Sequence, residues 1–298
     1  MRVGYLVNYS PEEVEFAKRA GFGSVQLIVA PESTLDPKTA DQATIMAAKQ
    51  AYAEANIEIS SIGYYGNHLD PDKSQAQAVT SHFLSLFDLA EALEVDNLCT
   101  FAGRDPEKSI EDNLPAFREV FTPLAAQALD RGMRIGFENC PMFHHFPFRG
   151  INIAYCPRAW DLMFDAVPSP ALGIEYDPSH LICMLQDYLQ IIYDYGDRIV
   201  HVHAKDAEIV WRKVQRDGIF QPGAVRHRTP GMGDADWPRI ISALVEVGYQ
   251  GNLDIEGRHD PVYRGPRENE GLAISLRYLS QFVADEFVQR GTQPGTAG

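Results

Sequence analysis

Eight short apolar segments alternate with helix-forming segments along the 298-residue chain, and this repetition constrains the fold more than any other feature. The segments are rich in Val, Ile, Leu and Phe and mostly lack strict polar–apolar alternation, as expected of parallel strands covered on both faces. Eight strand–helix units predict a parallel sheet closed into one (β/α)8 TIM barrel of the α/β class. We predict strands over residues 2–7, 24–29, 57–64, 95–101, 133–138, 172–177, 199–204 and 252–256.

An open, doubly wound sheet would have the same periodicity, because the pattern does not reveal closure. The first strand–helix turn lacks the GxGxxG fingerprint of dinucleotide-binding sheets, which favours the barrel. We therefore expect one catalytic barrel domain over residues 1–290 and a disordered tail over residues 291–298.

Helix boundaries between the strands are marked by capping residues. Ser10, Pro11 and two acidic residues predict a helix start, and Gly21 predicts its end. Similar signals predict later helix starts at Pro37, Ser74, Ser109, Pro157 and Pro238.

Four acidic or histidine side chains stand at the ends of four successive predicted strands: Glu138, Asp177, His203 and Glu256. A (β/α)8 barrel builds its active site from the C-terminal ends of its strands. Three carboxylates and one imidazole form a hard, oxygen-rich site for one divalent cation. The donor set favours Mn²⁺, Mg²⁺ or Co²⁺, with Zn²⁺ as a further candidate. The alternative is that these residues cap helices or form salt bridges.

The formal net charge of −15 and the pI near 5.0 argue against a nucleic-acid partner, since no run of Lys or Arg supplies a basic patch. The four cysteines show no CxxC spacing, which is typical of reduced thiols. The chain begins with a predicted strand rather than a signal peptide, and no apolar run reaches the ~18 residues of a membrane span. We expect a cytoplasmic enzyme with no membrane partner.

Two long connections, residues 139–156 and 206–236, follow the fifth and seventh strands, where barrels place lids and substrate-binding loops. The second contains Arg226, His227 and Arg228. Arginine binds carboxylates, phosphates or vicinal hydroxyls, so Arg228 is a candidate substrate contact, with a solvated loop arginine as the alternative.

Two further residues are candidate substrate contacts. His68 follows the third strand and is expected either to contact a sugar hydroxyl, to relay a proton, or to be a solvated loop histidine. Lys205 shares a strand face with His203 if the two-residue period holds, so it either donates to a substrate oxygen or pairs with a ligand carboxylate.

Several segments resemble the xylose-isomerase-like sugar isomerase and epimerase superfamily, in the order expected for that group. The resemblance covers nearly the whole chain and is more specific for fold and metal site than for substrate. The segments are Ile135-Gly-Phe-Glu-Asn-Cys-Pro, Glu175-Tyr-Asp-Pro-Ser-His, His201-Val-His-Ala-Lys-Asp, Asp254-Ile-Glu and Gly231-Met-Gly-Asp.

This resemblance implies roles for individual residues. Glu138 and Glu256 correspond to the two metal-contacting glutamates that remove and return a proton beside a carbonyl, through a metal-bound enediolate. His180 corresponds to a substrate-contacting histidine three residues after the aspartate ligand, with a hydrogen bond in the N-terminal turn of a helix as the alternative. The implied substrate is a ketose or keto-sugar, the implied cofactor is one divalent ion, most simply Mn²⁺, and relatives are commonly homodimers or homotetramers.

The chain also departs from that family pattern. Free-ketose epimerases commonly carry a second glutamate soon after the first, whereas residues 139–145 here contain no acid. This favours a 3-keto-glycoside or a cyclitol over a simple ketohexose. A lyase or dehydratase on the same scaffold shares the first chemical step. An apurinic-site endonuclease and a sugar-binding protein without activity are further alternatives; the net charge argues against the first and the intact four-residue site against the second.

Overall fold

The computed structural model describes residues 1–142 and 150–283. Eight parallel strands form a closed barrel in the order β1–β10–β7–β6–β5–β4–β3–β2, which confirms the predicted fold. Every barrel strand begins and ends within two residues of its predicted bounds. These strands are β1 (Val3–Val7), β2 (Ser24–Ile28), β3 (Glu58–Gly63), β4 (Asn97–Thr100), β5 (Arg134–Glu138), β6 (Leu172–Tyr176), β7 (Ile199–Ala204) and β10 (Leu253–Ile255).

Helices connect the strands and surround the barrel. They are α1 (Pro11–Ala20), α2 (Gln42–Glu54), α3 (Lys73–Leu93), α4 (Ile110–Asp130), α5 (Pro157–Ala166), α6 (Pro178–Cys183), α7 (Tyr188–Tyr195), α8 (Trp211–Asp217), α9 (Trp237–Glu246) and α10 (Glu268–Leu279). The hydroxyl of Ser10 accepts from the backbone N–H of Glu13 at 3.2 Å, and Gly21, at φ 89°, ends α1 as predicted.

The predicted helix start at Pro37 is wrong. The carboxylate of Asp36 accepts hydrogen bonds from the backbone N–H groups of Glu32 and Lys38 and so stabilises a turn there. The helix begins five residues later, at Gln42, where the Asp41 side chain accepts from the N–H of Thr44.

Apolar side chains fill the layer between the strands and the helices, where Phe117, Phe121 and Phe137 pack together with centroid distances of 4.8–5.6 Å. The barrel interior is different, because several fully buried side chains there are polar or charged: Ser24, Gln26, Glu175, His201 and Asp254. Buried polar groups require partners, so this interior is a hydrogen-bonded network, and it lies directly below the C-terminal strand ends.

The connection after β7 is long, as predicted, but it is not simply a loop. It folds into an antiparallel hairpin of β8 (Asp206–Ile209) and β9 (Val225–Arg228), with α8 between the two strands. The carboxylate of Asp206 accepts from the backbone N–H groups of Gly231 and Ala235, both at 3.0 Å, which fixes the hairpin to the segment that enters α9.

Residues 143–149 of the connection after β5 and residues 284–298 lie outside the described part of the chain. The proposed tail over 291–298 and the domain end at 290 fall there and stay predictions. Among the helices of the described ranges, none combines the length and apolar character needed to cross a membrane.

Candidate metal centre and active-site cavity

The structure brings together the four predicted metal ligands. Glu138 ends β5, Asp177 follows β6, His203 lies in β7 and Glu256 follows β10, and these four strands are neighbours in the barrel. One donor atom from each side chain lies within 4.8 Å of the others. The four residues therefore form a cluster that could hold one ion at the C-terminal end of the barrel.

Three atoms of this cluster are buried without a hydrogen-bond partner among the described residues: Asp177 Oδ2, His203 Nδ1 and Glu256 Oε2. Nδ1 of His203 lies 3.5 Å from Glu138 Oε1 and 3.4 Å from Glu256 Oε2. Unpaired buried acceptors are costly, and a cation would bind a lone pair of each of these three atoms at once. The residues present therefore fit a divalent ion.

A second layer of side chains orients His203. Its Nε2 lies 2.8 Å from Gln26 Oε1 and 2.9 Å from Glu175 Oε1, which leaves Nδ1 facing the cluster. The hydroxyl of Tyr65 donates to Glu175 Oε2 at 2.8 Å. Such outer partners fix the tautomer and the ring orientation of a metal-binding histidine.

The hydrogen-bonded network around Glu175 continues into the barrel interior. His201 bridges Glu175 Oε1, 2.9 Å from its Nδ1, and Asp254 Oδ2, 2.8 Å from its Nε2. Asp254 also accepts hydrogen bonds from the hydroxyls of Ser24 and Ser60. Burial acts to raise the pKa of Glu175, but the charge of His203 and the hydrogen bond from His201 outweigh it and lower that pKa. The interior charges are thus paired rather than isolated.

A cavity of about 560 Å³ opens above the cluster. Ile28, Phe101 and Met142 contribute apolar wall, whereas Glu138, Glu256 and several cationic or imidazole side chains contribute polar wall. Cavities of this size are typical of small-molecule sites that hold a ligand by apolar contact and orient it by a few polar groups.

His180 and Lys205, two of the predicted substrate contacts, line this cavity. Nε2 of His180 lies 3.2 Å from Asp177 Oδ2 and 3.5 Å from the Nζ of Lys205. Lys205 Nζ also lies 3.0 Å from Glu256 Oε1, so it pairs with a ligand carboxylate. Burial acts to lower the pKa of His180, but Cys140 and Asp177 outweigh it and raise this pKa to about 10. Both side chains therefore present positive charge beside the cluster.

His68 lies in the loop after β3, but it is buried rather than solvated. It is 1% exposed, and its two ring nitrogens lie 3.0 Å from the hydroxyls of Thr80 and Thr100. Its ring packs edge-on against Phe83 and Phe121. The structure therefore does not bring His68 into contact with the cavity, because neighbouring side chains already occupy both of its nitrogens.

Arg228 is also held away from the cavity. Its guanidinium contacts Glu208 and lies 3.0 Å from Asp260 Oδ2, so it fastens the hairpin to the segment after β10. The neighbouring His227 lines the cavity instead, together with Arg258 and His259. No role was predicted for His259, which lies three residues after Glu256; its Nε2 lies 2.9 Å from Glu256 Oε1.

Comparison with known proteins places the chain in a family. A sequence model of the family described as xylose isomerase-like TIM barrel matches residues 14–282. Inosose dehydratase of Bacillus velezensis is 31% identical over 222 residues, which cover 72% of this chain and 73% of that protein. Inosose dehydratase of Geobacillus thermodenitrificans is 26% identical over 211 residues, which cover 66% and 68%.

Solved structures give the same fold. A xylose isomerase domain protein from Planctomyces limnophilus superposes with a TM-score of 0.72 at 18% identity, covering 94% of this chain and 96% of that one. For 3-keto-D-glucoside 4-epimerase from E. coli the TM-score is 0.71 at 17% identity, covering 94% and 99%. These identities establish the shared architecture alone. Because the family model matches nearly all of the described chain, the protein belongs to the xylose isomerase-like TIM barrel family.

Proposed function

We propose that the protein is a metal-dependent sugar isomerase or epimerase that removes a proton from the carbon beside the carbonyl of a ketose or keto-sugar. One observation carries this proposal: Glu138 and Glu256 line the cavity and also belong to the four-residue cluster that could hold a cation. A carboxylate so placed reaches both the ion and the reacting carbon of an enclosed substrate.

The divalent ion, for which the donors favour Mn²⁺, Mg²⁺ or Co²⁺, would supply a Lewis acid that polarises the carbonyl and acidifies the adjacent C–H. Glu138, Asp177, His203 and Glu256 would hold it. The chain's own residues do the proton transfer: one glutamate accepts the proton on one face, and a donor on the other face returns one. His180 and Lys205 lie beside the cluster and would stabilise negative charge on the substrate oxygens.

The protonation states in the cavity suit proton abstraction. Burial acts to raise the pKa values of Glu138 and Glu256, but His180 and His203 lower the first and the charge of Lys205 lowers the second. Both glutamates are thus available as bases at neutral pH.

Dehydration of a ketocyclitol is a second candidate, favoured by the two curated relatives, which are named inosose dehydratases. The first step is the same proton abstraction, and a hydroxyl on the next carbon then leaves as water. Such a step needs an acid near the leaving hydroxyl. His180, whose pKa is raised to about 10, carries a proton at neutral pH and would supply it.

The substrate class, the cellular location and the oligomeric state are also inferred from the sequence and the resemblance. We infer a small neutral sugar or keto-sugar as substrate. A cytoplasmic location and a homo-oligomeric assembly stay predictions from the sequence and from the resemblance.

Solvent deuterium exchange tests the proposal. The protein with Mn²⁺ is incubated in D2O with ketoses, inososes and 3-keto-glycosides, and the products are followed by NMR. We expect deuterium beside the carbonyl with the wild type, and none with Glu138→Gln or Glu256→Gln. Glu270→Gln, on the exposed face of α10, serves as the matched control and should exchange normally.

The products then separate the two candidates, since epimerisation conserves the substrate formula and dehydration loses one water. Absence of exchange with every ligand, despite a bound ion, would contradict both candidates.

A further inference from the structure

Strand β9 directs its side chains alternately to two sides of the hairpin. Arg226 and Arg228 lie on one side, where both contact the carboxylate of Glu208. His227, between them, pairs with Ala207 across the hairpin and lines the cavity on the other side. Because successive strand residues face opposite ways, the register that places the arginines in ion pairs also presents the imidazole to the substrate site.

The imidazole of His227 lies near two other histidines, each of which contacts a predicted metal ligand. Its ring centroid lies 4.9 Å from that of His180, which contacts Asp177, and 6.0 Å from that of His259, which contacts Glu256. His227 therefore occupies the hairpin side of the cavity, separated from the four cluster residues by one layer of side chains.

One nitrogen of this ring is unpaired. Nδ1 of His227 is buried without a hydrogen-bond partner among the residues that the structure describes. The other such atoms near the cavity include the three that converge on the cation site. A buried unpaired nitrogen in a cavity wall carries an energetic penalty that a hydrogen-bonding ligand removes.

The ring is also neutral. Burial, followed by the positive charges of Lys205 and His180, lowers the pKa of His227 to about 2. A neutral imidazole has one donor and one acceptor nitrogen. The ligand group that matches either nitrogen is a hydroxyl, which both donates and accepts.

We propose that His227 is a specificity-determining residue that hydrogen-bonds one hydroxyl of a polyhydroxylated substrate on the hairpin side of the cavity. This inference rests on the proposed function and adds to it the residue that selects the substrate. A site built to hydrogen-bond a hydroxyl rejects the analogue that lacks it, because its own polar group is then left unpaired.

The test compares a substrate with its deoxy analogues. The ketose, inosose or 3-keto-glycoside that the wild type exchanges fastest in D2O is assayed beside its monodeoxy analogues, each lacking one hydroxyl. We expect one analogue to be disfavoured by the wild type by on the order of 10²-fold in kcat/KM. His227→Phe should reduce the preference for the parent over that one analogue at least tenfold and leave the other ratios unchanged.

Two controls separate recognition from folding. Arg226→Gln alters the opposite side of the same strand and should keep every wild-type ratio. His227→Gln retains a polar group and should keep part of the preference, and circular dichroism confirms that all three variants fold. A purely structural role would lower the rates for all ligands alike.

Equal losses for every analogue, or unchanged ratios in His227→Phe, would overturn the assignment of His227 while leaving the proposed function intact. A wild type that exchanges none of the ligands would overturn the proposed function and this inference with it.

Discussion

Lys205 Nζ lies 3.0 Å from Glu256 Oε1, while the other oxygen of that carboxylate lies 3.4 Å from His203 Nδ1, inside the cation cluster. One lysine thus engages one carboxylate oxygen and leaves the second free for an ion. Burial acts to raise the pKa of Glu256, but Lys205 is the strongest of the neighbours that lower it well below its usual range. The pair keeps Glu256 ionised.

Replacing Lys205 by Met should affect the two functions of Glu256 differently. Truncating one partner of a buried ion pair leaves the other charge uncompensated, which favours a cation, so we expect Mn²⁺ binding at least as tight as in the wild type but deuterium exchange reduced by on the order of 10²-fold. Isothermal titration calorimetry and the exchange assay measure the two effects. Lys213→Met, in the exposed helix α8, is the matched control and should behave as the wild type. Unchanged deuterium exchange in Lys205→Met would show that Lys205 has no role in proton abstraction.

Removal of divalent ions should destabilise the fold. Without a cation, three carboxylates converge with no full compensation, so a chelator should lower the melting temperature and Mn²⁺ should restore it. Ion at 100 times its Kd adds about 2.7 kcal/mol of stability, which corresponds to a shift of several degrees.

Asp177→Asn makes this thermal test specific. Asp177 Oδ1 accepts from the N–H of Ser179 and caps α6, whereas Oδ2 faces the cluster. The amide oxygen of Asn can keep the cap but removes the charge, so the variant should fold and show a much smaller response to Mn²⁺. Differential scanning fluorimetry with and without EDTA measures this, and an equal response in both proteins would contradict the assigned ligand.

Glu175 should control metal affinity without touching the ion. Its carboxylate receives Gln26 Nε2 at 2.6 Å and Tyr65 OH at 2.8 Å, and it holds Nε2 of His203 at 2.9 Å. Loss of such an outer partner typically costs 10–100-fold in metal affinity. We expect Glu175→Gln to weaken Mn²⁺ binding by roughly that factor in calorimetric titrations. Glu58→Gln, at the opposite end of the barrel, should leave the affinity unchanged.

The barrel and the four-residue cluster were predictable because both depend on local patterns. An apolar run followed by capping residues is visible within about ten positions, and a polar residue at the end of such a run stands out. The closed barrel order then brings β5, β6, β7 and β10 side by side, so residues at their ends meet.

The side chains that orient the predicted metal ligands were harder to predict. Their position depends on which face of each strand points into the barrel, and a continuous apolar run does not show which face that is. One signal was nevertheless present: Glu175 and His201 each precede a predicted ligand by two residues, so they share its inward face. Gln26 had no such marker. His227 and Arg228 could not be told apart, because only the register of the β8–β9 hairpin decides which of them faces the cavity.

His68 should make the stability of the fold depend on pH. Burial lowers the pKa of His68 to about 3, whereas in the unfolded chain His68 binds a proton near the ordinary histidine pKa of 6.5. The neutral ring therefore contributes fully above pH 6.5, and the contribution is lost as the pH falls from about 6.5 towards 3, with an upper limit of roughly 5 kcal/mol. Melting temperatures of the metal-free protein between pH 4 and 8 should fall more steeply for the wild type than for His68→Gln. Parallel curves for the wild type and His68→Gln would mean that the folded protein accepts a proton at this position.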